Sequence, residues 1–182
     1  MISIYIFGND DDDTLGNMMK KALSPYGNTF YCKGDHKICD KQQQHNYDFY
    51  IKELTELPLY FDTVGIAIFK KSFLSQKPLQ LPTGWVAVMG SHDEKLKGHF
   101  CKTGQVVITC GTQATDTFSI ASLNENQTAV SLQRMLKTLN GTILEPCEIT
   151  MHLTQSYNPH KVLPVAATLL LAGIPWDSIF VV

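Results

Sequence analysis

Residues 2–7 are apolar at nearly every position: Ile2, Ile4 and Ile6 fall on one side of an extended chain, Tyr5 and Phe7 on the other. A strand covered on both faces shows that pattern, because the side-chain period of two places alternate residues on opposite faces. Leu15, Met18, Met19 and Leu23 then recur at helical spacing, with Lys20 and Lys21 late in the run and Pro25 and Gly27 ending it. The chain therefore opens with strand, loop and helix. Further strands are predicted at residues 29–32, 47–54, 63–70, 85–89 and 105–110, with a short helix over 92–102. Residues 33–46 read as a polar loop and 71–83 as a connection broken by two prolines.

From Asp116 the rhythm changes. Residues 118–123, 129–135 and 143–153 are strand-like, separated by Asn-rich or Gly-containing turns with no helix-length segment between them, and predict a small antiparallel sheet. Asn140-Gly141 reads as a hairpin turn. A last helix is expected over 159–172, opened by Pro159 and ended by Gly173. The alternation implies an α/β domain with a mainly parallel sheet flanked by helices. All 182 residues fit one domain: a parallel α/β part (1–115), antiparallel strands (116–156) and a C-terminal helix and tail (157–182).

Charge and cysteine usage narrow the function classes. Fifteen basic against 17 acidic residues give a formal charge of −2, without the broad basic footprint of a nucleic-acid or anionic-membrane binder. The longest apolar run, 162–174, is interrupted by Pro164 and Gly173 and is too short for a membrane span. The first residues enter an apolar strand without a basic region and cleavage site, so a cytoplasmic location is expected. Five irregularly spaced cysteines fit reduced thiols better than a disulfide framework. Cys32, Asp35, His36 and Cys39, with His45 nearby, do not form the two matched halves of a zinc site. Cys101, Cys110 and Cys147, with His92, His99, His152 or His160, offer nucleophile–base pairs but no catalytic signature.

The loop after the first strand carries the distinctive chemistry: Gly8-Asn9-Asp10-Asp11-Asp12-Asp13-Thr14. Strand, loop and helix in this order resemble the nucleotide-binding unit of the central domain of the Mur ligases, ATP-dependent amide-forming enzymes, and of their folylpolyglutamate synthase relatives. That family's loop reads G-T-N-G-K-[ST]-T. Gly8 matches its first glycine and Thr14 its last threonine, while Asp12 stands at the lysine and Asp13 at the magnesium-binding hydroxyl. Two unit charges about 4 Å apart interact by about 4 kcal/mol at an effective dielectric of 20, so exchanging a lysine for a carboxylate turns attraction to a triphosphate into repulsion of that order. No ATP is expected here, and no other cofactor is implied. Asn9 or Asp10 would instead cap the helix, with the other aspartates complementing its dipole, or the carboxylates would hold a divalent cation.

Later landmarks of the resemblance are altered too. Asp48-Phe49-Tyr50-Ile51-Lys52-Glu53-Leu54 resembles the family's strand that ends in a magnesium-binding glutamate, with Glu53 at that position; taken alone Glu53 reads as a solvated edge residue. The family's following Asn and Asp-His have no counterpart in Ile66 to Phe73, where Lys70 and Lys71 read as a solvated strand end. Asp93 and Asp116 match isolated acids. Asn158 matches the first asparagine of an H-N-x-x-N helix start, but Tyr157 and Lys161 replace its histidine and second asparagine. The family's N-terminal substrate domain and C-terminal amino-acid domain have no counterpart in these residues. The expected function is a binding, scaffolding or regulatory module without ligase chemistry, with a protein partner of unspecified kind. The alternatives are a small-molecule- or divalent-metal-dependent enzyme reusing the crevice at the carboxyl ends of the strands, where Asp12, Asp13, Glu53 and Asp93 would converge, or a subunit completing a partner ligase.

Overall fold

A computed structural model of the chain describes residues 1–9, 11–34, 46–74 and 79–182. Its strands are β1 (Ile2–Phe7), β2 (Thr29–Lys33), β3 (Phe49–Leu54), β4 (Gly65–Phe69), β5 (Trp85–Gly90), β6 (Val107–Gly111), β7 (Phe118–Leu123), β8 (Gln127–Leu132), β9 (Leu136–Lys137), β10 (Ile143–Leu144), β11 (Cys147–His152) and β12 (Phe180–Val181). The helices are α1 (Thr14–Leu23), α2 (Glu94–Thr103) and α3 (Pro159–Leu171). Ten strands join one sheet in the order β12-β11-β8-β7-β6-β5-β4-β1-β3-β2. Every pairing from β2 across to β7 is parallel, whereas β8 pairs antiparallel with both β7 and β11.

The antiparallel segment anticipated after Asp116 is present, but most of it extends the main sheet. Phe118 and Ser119 pair in parallel with Cys110 and Gly111, so β7 continues the ladder of β6 before the chain reverses into β8. The separate antiparallel sheet is the β9–β10 pair, whose turn holds Asn140 and Gly141 at φ +91°. Thr138 donates to the Asn140 side chain, which also accepts from the Thr142 amide at 3.1 Å. This is the side-chain turn chemistry that Asn-Gly favours.

Strand period separates the two faces of the sheet. Ile4, Ile6, Ile51, Ile66, Ile68 and Val88 point to a core closed by α1 and α3. Tyr5, Phe7, Tyr50, Phe69, Trp85 and Met89 point to a second core closed by α2 and by residues of the connection after β4. On this second face the β3–β4 connection runs without a helix, and Asp62 ties it down. Its carboxylate accepts from Tyr5 Oη at 3.1 Å and from Ser3 Oγ, and its carbonyl accepts from Trp85 Nε1 at 2.8 Å. Among the described residues, no helix is long and apolar enough to cross a membrane.

The chain leaves β1 through α1 toward β2 on one side, and β4 lies on the other side of β1. This reversal places a switch point between the carboxyl ends of β1 and β4, where open α/β sheets form their binding crevices.

Candidate functional site

A cavity of about 480 Å³ opens at that switch point, lined by Asn9, Asp12, Lys70, His92, Asn158 and Lys161 among others. Its residues arrive there by strand register. Ile4 and Ile6 face α1 and α3, so Gly8 continues that row; Lys70 likewise continues Ile66 and Ile68, and Gly90 continues Val86 and Val88. Gly8 lies at φ +150°, and a Cβ there would come within 2.7 Å of Lys70 Cβ. The missing side chain is what lets Lys70 cross over the end of β1.

Lys70 reaches the loop with its ammonium fully engaged. Nζ donates to the Asp12 carbonyl at 2.6 Å, to Glu53 Oε2 at 2.9 Å and to the Asn9 carbonyl at 3.3 Å. Three acceptors exhaust its three N–H groups. Its side chain is 13% exposed and that of Glu53 only 2%, so the carboxylate is buried and the ammonium partly so. The expectation of a solvated strand end is therefore corrected for Lys70, and that of a solvated edge residue for Glu53. Both belong to the face buried beneath α1, a consequence of period two that their charge conceals. Lys71, on the opposite face, is exposed as expected.

Several amides of the loop and first helical turn are also occupied. Gly8 N donates to the Leu54 carbonyl at 3.0 Å and Asn9 N to Ser72 Oγ at 2.9 Å. Thr14 N donates to Asp12 Oδ1 at 3.0 Å, and Gly16 N to Glu53 Oε1 at 3.2 Å. Two carboxylates of the protein thus stand where the start of a helix would otherwise attract an external anion. Asn9 does not cap α1; its side chain turns back to Asp11, accepting from the Asp11 amide and donating to Asp11 Oδ2 at 2.6 Å. The terminal amide is instead met by Asp12, while Asp13 at the cap position makes no side-chain bond to the helix. Asp10 lies outside the described residues, as do Asp35, His36, Cys39 and His45 of the zinc candidate. Cys32 is buried beside the Tyr50 hydroxyl.

Asp12 Oδ2 also accepts from Lys161 Nζ at 2.6 Å, joining the loop to the start of α3 across the cavity. This lysine, followed by the Thr14 side chain and amide, holds the Asp12 carboxyl well below the usual carboxylate range. A depressed folded-state value means that Asp12 contributes stability above its unfolded value of about 3.9 and loses it as pH falls toward the folded value. The side chains are 31% and 52% exposed, so screening keeps the contribution under about 1 kcal/mol. Asp12→Asn is expected to flatten the stability profile slightly below pH 4, measured by urea denaturation across pH; an unchanged acid limb would show the pair to be energetically silent.

Asn158 caps α3 through Oδ1, which accepts from the His160 amide at 2.9 Å. The His160 and His92 rings meet edge to face with centroids 5.5 Å apart, and His92 packs over Gly90, where a Cβ would lie 2.9 Å from Nδ1. Cys110 lines the cavity, but burial, reinforced by Asp116, pushes its thiol far up, leaving it protonated at neutral pH. Cys101 is exposed and Cys147 partly buried; none of these three hydrogen-bonds a histidine among the described residues. Asp116 is itself buried, accepting from Ser91 Oγ at 3.1 Å and Gln113 N at 2.9 Å.

The four acids considered for a metal do not form a shared site. Asp12 turns to Lys161, Glu53 to Lys70 and Gly16, and Asp93 caps α2 by accepting from the Leu96 amide at 3.0 Å. Among the described residues, no three His, Cys, Asp or Glu side chains assemble into a metal-holding group.

Comparison with solved structures places this architecture. MurF ligase from Thermotoga maritima in complex with ADP is 11% identical, with a TM-score of 0.56 over 98% of this chain and 46% of that one. The UDP-N-acetylmuramoylalanyl-D-glutamyl-2,6-diaminopimelate–D-alanyl-D-alanyl ligase from Acinetobacter baumannii is 12% identical, with a TM-score of 0.59 over 97% and 44% of the two chains. The chain has a Mur ligase-like fold. The murein peptide ligase mpl from Psychrobacter arcticus 273-4 aligns with 94% of this chain and 44% of its own, at 10% identity and a TM-score of 0.51. The chain thus spans less than half the length of each of these Mur ligases. No family model and no curated protein sequence matches it.

Proposed function

We propose that this Mur ligase-like domain does not bind ATP at the loop after β1 and acts as a non-catalytic binding, scaffolding or regulatory module. The observation that supports this is the commitment of the loop's hydrogen-bonding groups. Thr14 N and Gly16 N are held by Asp12 and Glu53, and the Asn9 and Asp12 carbonyls converge on Lys70. A phosphate cradle needs amides turned toward the ligand and a cation free to meet it. Here the amides hold internal carboxylates, while the Lys70 ammonium is saturated. A triphosphate entering the loop would have to expel both and would meet the exposed Asp11 and Asp13.

The Thermotoga MurF structure contains ADP. Transfer of that property to this chain would require the loop to reopen by breaking the Lys70–Glu53 pair. Isothermal calorimetry with ATP or ADP plus magnesium is expected to give no saturable heat at millimolar nucleotide. Saturable binding that responds to substitution of Thr14 or Lys70 would overturn the proposal.

A further inference from the structure

We propose that the crevice takes a small anion, a carboxylate or a phosphate monoester, on Lys161, and that the Asp12 carboxylate is an internal competitor holding that position in the free protein. The inference rests on the reading that the loop itself takes no nucleotide. Two ammonium groups enter the crevice in different states. Lys70 is partly buried and has three oxygens on Nζ, so it has nothing left to offer. Lys161 is partly exposed and, among the described residues, has one, Asp12 Oδ2, which leaves two N–H groups unspent by them. Asp12 belongs to an exposed loop, and exposed ion pairs are weak enough to exchange partners.

The wall facing the loop carries the remaining donors. His92, His160 and Asn158 line the cavity, and among the described residues none of their side chains is paired with an acid. Beside them lie the apolar side chains of Leu15, Ile68 and Pro164. A cavity of about 480 Å³ with apolar side chains beside convergent polar groups suits a compact ligand with one or two negative charges. The carboxylate now on Lys161 identifies the chemistry this lysine accepts. When a ligand anion replaces it, Asp12 moves outward and the donors of the α3 side close on the newcomer.

The sign of one substitution decides the matter. Inorganic phosphate and succinate, titrated separately by calorimetry, are expected to bind Asp12→Asn about two- to fivefold more tightly than the wild type, the gain from removing a weak exposed competitor. Adding Lys161→Ala to Asp12→Asn should abolish that gain. Glu94→Gln, which removes one negative charge from a surface pair on α2, should give none. A response to phosphate alone identifies a phosphate monoester site and a response to succinate alone a carboxylate site. Equal affinity in wild type and Asp12→Asn, no binding of either anion, or a gain that survives loss of Lys161 would overturn the inference. Those results leave the nucleotide reading intact, whereas MgATP binding at the loop would overturn that reading without touching these titrations.

Discussion

Replacing Lys70 with alanine is expected to destabilise the protein by about 3–5 kcal/mol, with a fall in Tm of roughly 10 °C. Lys70 supplies the counter-charge of Glu53, whose side chain is 2% exposed, and also binds two loop carbonyls. Removing the ammonium leaves a buried carboxylate without its cation and two carbonyls without a donor. The penalty is the desolvation of Glu53, not the net worth of the ion pair, and this gives the prediction a second arm. Lys70→Met combined with Glu53→Gln removes both charges, while the glutamine oxygen can still accept from Gly16 N. That double variant should recover at least about half of the loss, because a neutral buried pair carries no Born penalty. Urea denaturation of the two proteins measures both values. A Lys70→Ala variant within about 0.5 kcal/mol of wild type, the level of an ordinary surface substitution, would show that Glu53 does not depend on it.

Gly16→Ala is expected to destabilise by about 1–3 kcal/mol, although the same change inside a helix ordinarily stabilises by about 0.5–1 kcal/mol. A methyl at Gly16 would collide with Glu53 Oε1 and with the Tyr31 ring, whose Cζ would lie 2.7 Å away. Glu53 cannot yield freely, since Lys70 and the Gly16 amide fix its two oxygens. Tyr31 packs against the same core, its hydroxyl buried without a completed hydrogen bond among the described residues and its ionisation pushed up by burial and by Glu53. Gly98 in α2 provides the opposite case: no atom lies within 4 Å of a Cβ built there, so Gly98→Ala should stabilise by about 0.5–1 kcal/mol. Opposite signs for one chemical change on two helices would locate the Glu53 contact. Stabilisation by both would mean that Glu53 and Tyr31 are free to move aside.

Much of the scaffold could be read from residue patterns, and the reasons are local. The two-sided apolar run of β1, the helical spacing of Leu15 to Leu23 and the capped start of α3 each express a periodicity that tertiary contacts reinforce. Less legible was how the strands after Asp116 continue the main sheet, because edge pairing is decided by neighbours remote in sequence. At the site, Gly8, Asp12 and Asn158 do line the crevice or its loop, whereas Asp93 serves a different helix. Lys70 and Glu53 depart from the expectation because a charged residue at a strand end suggests solvent. The corrective signal was present in the alternation itself: Ile66-x-Ile68-x-Lys70 and Phe49-x-Ile51-x-Glu53 put both charges on the face that α1 covers. Two opposite charges on rows flanking β1, with only Gly8 between them, can then neutralise each other. The Lys161–Asp12 pair, 149 residues apart in the chain, had no local signal of that kind.

At the start of α1, the Thr14 and Gly16 amides already hold the protein's own carboxylates. Backbone ¹H–¹⁵N resonances of Gly8, Thr14 and Gly16, followed while MgATP is added to the isotopically labelled protein, are the most direct test of whether nucleotide displaces them. All three are expected to stay in place at millimolar nucleotide; saturable shifts of Thr14 and Gly16 together would show that the nucleotide takes their amides from Asp12 and Glu53 and would overturn the proposed loss of ATP binding.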